Sequence, residues 1–255
     1  MMNVDIRTFS PREKAILIGL YLSKFNQAAL AHLGFKRFSE AYNVLGYAIG
    51  AKPQSIKNYR DEFDPHFPNS RKGWANRDLR EHCQAILDEF NGYDITAFAK
   101  LVLGVVAPGS INIEESPTNV GPDYTSMVAN RLVTGLAAEE YFMSRYREVP
   151  EFAGLAITDM RNSARGFDFL ALAEAEYFCV EVKGINAKRG NVMLTEKEHS
   201  TARAEKERYC LFVVSNFLTT PNHQCFFNPL QGHLAFKAVE EVIVRRSFIA
   251  SIQAS

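Results

Sequence analysis

Gly166-Phe167-Asp168-Phe169-Leu170-Ala171-Leu172, the polar break Ala173-Glu174-Ala175-Glu176, and then Tyr177-Phe178-Cys179-Val180-Glu181-Val182-Lys183-Gly184 form the stretch on which the chain turns. Both flanks are apolar and rich in aromatic and β-branched residues, and a four-residue polar break is a common hairpin loop, so two antiparallel strands are predicted. Side chains alternate along a strand, so Glu181 and Lys183 share one face while Val180 and Val182 enter the opposite layer. Asp168, on the neighbouring strand, needs only to face the same side. Two carboxylates beside an ammonium on an otherwise apolar sheet are costly unless something compensates them. A divalent cation bridging the carboxylates would do so, and oxygen ligands of this kind suit Mg²⁺, which accepts one or two carboxylates plus a substrate phosphate and keeps several waters. The plainer reading is a solvated ion pair on a surface strand; the apolar setting and the glycines at both ends argue against it.

The bulk composition is that of an ordinary globular chain: 255 residues, 47% hydrophobic and 23% charged. That length buries one good core or two modest ones. The 29 Lys and Arg balance the 29 Asp and Glu, so a nucleic-acid partner requires charge segregation, with acids at a metal site and bases on the contacting face. Cys83, Cys179, Cys210 and Cys225 are scattered without a Cys-x-x-Cys pair. This speaks against a zinc site or disulfide framework and fits a reducing cytoplasm. The apolar run from Ala15 to Leu22 is too short to span a bilayer, and nothing before it resembles a signal peptide, so no membrane partner is expected. The six histidines form no ligand constellation. Phosphate-binding Gly-x-x-x-x-Gly-Lys, dinucleotide and Gly-x-Ser-x-Gly motifs are absent.

Apolar residues recur at helical spacing from Pro11 to Phe90. Ser10-Pro11 starts a helix that buries Ile16, Leu17, Leu20 and Tyr21, and a second helix is predicted over Ala28 to Leu33, ending at Gly34. A third begins at Ser39. Gly50 then turns the chain into Pro53-Gln-Ser-Ile-Lys-Asn-Tyr-Arg-Asp-Glu-Phe63, the layout of a helix-turn-helix unit. Ile56, Tyr59 and Phe63 are assigned to the buried face. Gln54, Ser55, Lys57, Asn58 and Arg60 are assigned outward, as groups that reach base edges and phosphates. Arg71, Lys72, Arg77 and Arg80 extend the positive face around Trp74, which is placed in the core rather than as a stacking platform. A helical bundle with a charged outer face is the alternative.

Pro, Gly, Ser, Asn and acids concentrate between Ala107 and Asp123, which is read as a linker between a helical DNA-contacting domain, residues 1–106, and a second domain, residues 124–255. Tyr124 to Tyr146 reads as one long helix. The first strand is sought in Val149 to Phe152 and Leu155 to Ile157, and the loop 159–165 carries Arg161 and Arg165 towards the site as phosphate contacts. Lys188 and Arg189, in the loop after Lys183, are further backbone contacts. Thr195-Glu-Lys-Glu198 is a capping-box signature, so Glu198 is assigned to the cap in preference to the site. Tyr209 to Phe217 reads as a strand buried on both faces, and Ala238 to Ile252 as an edge strand or final helix.

Asp followed by Glu-x-Lys after a hairpin resembles the catalytic core of the PD-(D/E)xK nucleases, the restriction-endonuclease-like superfamily. Gly-Phe-Asp-Phe, Phe-Cys-Val-Glu-Val-Lys-Gly, Leu194-Thr-Glu-Lys-Glu198 and Tyr209-Cys-Leu-Phe-Val-Val look like the nuclease-like domain at the carboxy end of NO VEIN-type proteins and in bacterial restriction and defence proteins. The family's leading Pro is replaced by Phe167. The resemblance covers the second half of the chain. It implies an α/β fold with a mixed central sheet flanked by helices, and an N-terminal helical domain beside it. It also implies Mg²⁺ held by Asp168 and Glu181, with Lys183 handling the attacking water. Glu139 and Glu140 fall where such nucleases often carry a further Glu, a solvated helical face being the equal alternative. The function implied is a type II restriction endonuclease that cuts double-stranded DNA as a homodimer and works beside a cognate DNA methyltransferase. The alternative is a DNA-binding or defence-sensor module that keeps the fold without turnover.

Overall fold

In the computed structural model, residues 9–75, 77–109, 122–174, 176–232 and 234–240 are described, 122–125 by backbone alone. Most of the predicted linker and of the stretch from Ala238 to Ile252 lies outside these residues. The chain is α/β: seven α-helices among the described residues and one open, mixed, five-stranded sheet.

Helix α1, Pro11–His32, opens with a capping box in which Ser10 and Glu13 bond each other's backbone amides. The separate second helix predicted from Ala28 is instead the continuation of α1 across a kink at Asn26, whose φ is 52° and ψ is −124°. Gly34, with φ +73°, ends the run. Then come α2, Phe38–Ala48, α3, Pro53–Phe63, α4, Glu81–Phe90, and α5, Ile95–Val106. Ile56, Tyr59 and Phe63 are buried as predicted. The pair α2 and α3 has the predicted helix, turn and helix order.

Helix α6, Pro122–Arg145, leads into a 3₁₀ turn and the sheet. Pro150–Phe152, sought as a strand, is a 3₁₀ turn, because Pro150 withholds a ladder donor. Strand β1 is Ala156–Asp159, β2 Phe169–Leu172 and β3 Tyr177–Gly184; after α7, Glu196–Glu205, follow β4, Tyr209–Ser215, and β5, Asn222–Phe227. The strands lie in chain order, β3 and β4 parallel and every other neighbour antiparallel. Every residue of β4 is buried, as its apolar run predicts for a central strand.

One cluster of buried side chains runs from Phe9 and α1 through α5 to Phe142, Phe169, Phe212 and Phe217. The helical layer is fastened to the sheet by polar bonds as well. Asn43 donates from Nδ2 to the carbonyls of Phe217 and Thr219, at 2.7 and 2.8 Å, and Ser39 Oγ donates to the Leu218 carbonyl at 2.7 Å. Asn43→Ala leaves two carbonyls unpaired in the contact and should cost roughly 1–3 kcal/mol. With a continuous core, urea unfolding of the variant should stay a single transition at a lower midpoint; two separated transitions would show that the halves unfold independently.

Candidate functional site

The hairpin forms in the predicted register. Leu172 pairs with Tyr177 and Phe169 with Val180, so one step further out Asp168 stands opposite Glu181. Phe169, Val180 and Val182 enter the main core under α6, whereas Cys179 packs with Ala202 and Tyr209 on the α7 side. Asp168, Glu181 and Lys183 therefore share the α7 face. Two glycines allow the approach. A Cβ at Gly166, where φ is +83°, would lie 2.5 Å from Thr201 Oγ1 and 2.9 Å from the Lys197 carbonyl of α7. A Cβ at Gly184 would lie 2.8 Å from the Thr134 carbonyl of α6.

Asp168 Oδ2 accepts the Val182 amide at 2.8 Å, which fixes the carboxylate against the third strand. Glu181 is 3% exposed, and its Oε1 lies 2.5 Å from Lys183 Nζ. The same Nζ donates to Glu198 Oε2 at 2.8 Å. Glu198 also completes the capping box of α7 with Thr195. It therefore performs the cap that the sequence predicts and stands in the site as well.

Burial pushes the Asp168 carboxyl above the ordinary range; the Val182 amide opposes this and the Glu139 charge adds to it. Burial likewise raises Glu181, reinforced by the neighbouring Asp168 charge. For Lys183, burial lowers the pKa, but Glu181 and Glu198 outweigh it and hold the amine firmly protonated. Lys183 is thus a donor and a positive charge between the two carboxylates.

Arg161 does not stand open to a phosphate. Its Nε and Nη2 bond the Asp159 carboxylate, its Nη1 bonds Glu139 Oε2 at 2.8 Å, and Glu140 lies 3.5 Å away. Burial raises the Glu139 pKa and Arg161 opposes that rise. Arg165, Lys188 and Arg189 are exposed on the two loops that flank the site.

In the helical layer, Gln54 is exposed, with its amide bonded to Asn58, and Lys72 is exposed. Ser55, Lys57 and Asn58 are half-buried, and Lys57 pairs with Asp61 at 2.7 Å. Arg60, predicted to face outward, is 8% exposed. It pairs with Asp61 and with the buried Asp64, at 2.5 and 3.6 Å, above the rings of Phe38 and Tyr42. Arg71 spends its fork on Asp64, both bonds at 2.7 Å, and a further donor on Asn26. These two arginines hold the layer together. Trp74, predicted for the core, is half-buried with the Arg77 guanidinium 3.9 Å above its ring.

Among the described residues no three His, Cys, Asp or Glu side chains are grouped to hold one ion. The donors that fit are Asp168 and Glu181, two buried oxygen ligands of raised pKa, the Asp168 charge adding to the rise at Glu181, and Mg²⁺ is satisfied by one or two carboxylates with waters. A groove of about 920 Å³ between α7 and the hairpin, floored by Phe167, Leu170, Tyr177 and Cys179, lies beside these carboxylates on the same face. Among the described residues no helix is long and apolar enough to cross a membrane.

Residues 138–227 match the family model described as Protein NO VEIN, C-terminal. The match starts one residue before Glu139 and ends with β5, so it contains all five strands of the described residues and Asp168, Glu181, Lys183 and Glu198. No curated protein and no solved structure matches the chain.

Because folding raises the carboxyl pKa values of Asp168 and Glu181, the folded chain binds more protons than the unfolded one above the ordinary carboxylate range. Their contribution to stability is present below that range and is lost as pH rises toward the folded values. Glu181→Gln removes one such group, so its melting temperature relative to wild type should climb between about pH 5 and pH 8 without added metal. Parallel melting curves across that interval would refute the shifted pair.

Proposed function

We propose that the chain is a Mg²⁺-dependent nuclease of the PD-(D/E)xK kind that hydrolyses phosphodiester bonds in double-stranded DNA, in the manner of a type II restriction endonuclease. The observation that carries this reading is the convergence of Asp168, Glu181 and Lys183 on one face of β2 and β3. Ion-pair networks also perturb pKa values, but this one puts two carboxylates of raised pKa beside a single ammonium at a glycine-bounded hairpin. The αβββαβ order from α6 to β4, with β3 and β4 parallel, suits the restriction-endonuclease-like core. The NO VEIN match over the same residues agrees with a nuclease-like role.

Asp168 and Glu181 would hold the cation. When bound, Mg²⁺ supplies Lewis-acid polarisation of the phosphate and a more acidic water. Asp168 is oriented for this by the Val182 amide. Lys183, kept as an ammonium by Glu181 and Glu198, donates to the attacking water or a phosphate oxygen and offsets the charge that builds up in the transition state. Hydrolysis adds water across one P–O bond, so each strand needs one site. A homodimer with two-fold symmetry provides two and suits a palindromic sequence. Gln54, Ser55, Lys57, Asn58 and Lys72 on the helical layer, with Arg165, Lys188 and Arg189 around the site, are the proposed DNA contacts. A cognate methyltransferase would protect the cell's own DNA.

Plasmid and phage DNA, incubated with the protein and either Mg²⁺ or EDTA, should give discrete fragments only with Mg²⁺. Asp168→Ala and Lys183→Ala should each slow cleavage by roughly 10²–10³-fold, with DNA binding in a gel-shift assay largely retained. A Mg²⁺-dependent smear would remove the restriction-type specificity and keep the nuclease. Bound but intact DNA, methylated and unmethylated alike, would replace the nuclease with a non-cleaving binding module.

A further inference from the structure

One flank of α7 faces the hairpin groove through Thr201 and Ala204. The other carries positive charge. His199, Arg203 and Lys206 recur at steps of four and three, so they form one stripe over about 10 Å of helix and its cap. The stripe is one wall of a separate cleft of about 430 Å³, a volume within the range of ligand sites. The segment after β5 supplies the facing wall. Its Leu230 packs against Cys179, Ala202 and Tyr209, and its Phe236 ring meets the His199 ring edge-on, centroids 6.4 Å apart. Asn228 Nδ2 donates to Gln231 Oε1 at 3.3 Å, which leaves the Gln231 amide nitrogen as a donor for the cleft. Among the described residues no carboxylate lines it. Glu205 and Glu207, on either side of Lys206, accept from the Tyr177 hydroxyl and from Asn228 Nδ2.

The backbone at Lys206 sets this wall apart from an ordinary charged helix face. Its φ of 52° and ψ of −117° form a combination that glycine adopts freely and that costs any residue with a Cβ. A lysine gains from the dipole anywhere in the last turn of a helix, so the dipole does not account for a lysine at this strained position. In a chain with equal numbers of acids and bases, three basic side chains lining a cleft without an acid are a segregation of charge. Arginine, lysine and amide donors are the groups that hold phosphate oxygens. We propose that the cleft holds the phosphodiester backbone of a nucleic-acid strand as it leaves the carboxylate site. Glu198 of that site directly precedes His199, so the cleft begins where the site ends. Its length exceeds the step between successive nucleotides, about 3.4 Å along a duplex axis, so more than one phosphate is met. The inference rests on the nucleic-acid reading above, but on neither a bound cation nor cleavage.

The test is fluorescence anisotropy of the full chain on a labelled synthetic DNA duplex, in EDTA and again in Ca²⁺, over a series of salt concentrations. Arg203→Gln and Lys206→Gly should each weaken binding roughly three-fold and lower the slope of log affinity against log salt by about 0.9. The double variant should lower it by about 1.8. Lys206→Gly should melt no lower than wild type, because glycine relieves the backbone there, so its lost binding is not lost folding. Lys100→Gln removes the same charge from an exposed position of α5 and should leave the slope unchanged. Wild-type slopes in the Arg203 and Lys206 variants overturn the cleft alone, and so does an equal loss in Lys100→Gln, which would make the effect one of net charge. Calorimetric titration with adenosine 5′-monophosphate separates a strand from a free nucleotide. A mononucleotide bound more tightly than the duplex, and lost in Arg203→Gln, overturns the strand as occupant. A chain that binds no DNA under either condition overturns the nuclease reading, and this occupant with it.

Discussion

Glu181 is the constraint on which the rest of the sheet depends. A carboxylate that is 3% exposed on a β-sheet face is paid for only by what surrounds it. What surrounds it is one ammonium, shared with a second carboxylate at 2.8 Å, and a third carboxylate across the hairpin. The arrangement is under-compensated. Apolar residues of similar volume would suit the fold better, because a buried ion pair seldom repays its own desolvation. Around this deficit the neighbouring elements close in. Gly166 brings the entry of β2 against α7, Gly184 brings the exit of β3 against α6, and the cap of α7 aims Glu198 at Lys183. Local cost tolerated at one place, with consistent packing around it, is the pattern expected of a functional or strained site.

The hairpin was legible because two rules coincide in it. A four-residue break sets Leu172 opposite Tyr177, and counting back four residues on one strand and forward four on the other brings Asp168 to Glu181. Period-two alternation does the remaining work. Glu198 was legible as a cap and no more, since a capping box already gives its carboxylate a partner. A carboxylate has lone pairs for several donors, though, and Oε2 serves both the Thr195 amide and Lys183. Arg60 was misplaced by its charge. It lies four residues after Ile56 and three before Phe63, on the buried stripe, and the missing information was the buried Asp64 that receives it. Periodicity gave the better answer there than residue type.

The helical layer contributes more to the site than a separate binding domain would. Its buried side chains continue into those of α6 and the sheet. Asn43 and Ser39 bond the turn after β4, and Asn130 of α6 donates to the Gly34 carbonyl at 3.1 Å. Helix α6 is thereby clamped between the layer and β3. Asn186, just past Lys183, donates to Asn130 at 2.9 Å, so the loop leaving the site is fixed to the same helix. Glu139 is carried on this clamped helix.

That leaves the balance of charge. Around the hairpin end stand Asp159, Glu139, Glu140, Asp168, Glu181 and Glu198, and the cations in contact with them among the described residues are Lys183 and Arg161. With its carboxyls ionised this cluster carries more negative than positive charge, and the chain as a whole has equal numbers of acids and bases. Two remedies exist: protonation of the raised carboxyls, or a bound cation. Protonation weakens as pH rises, and it would remove the very donors a cation needs. On the proposed reading a divalent cation would lessen the local negative charge and keep both carboxylates ionised, which suits both the acids and an anionic substrate. On that reading the exposed Arg165, Lys188 and Arg189 at the rim would meet phosphates that the centre repels less.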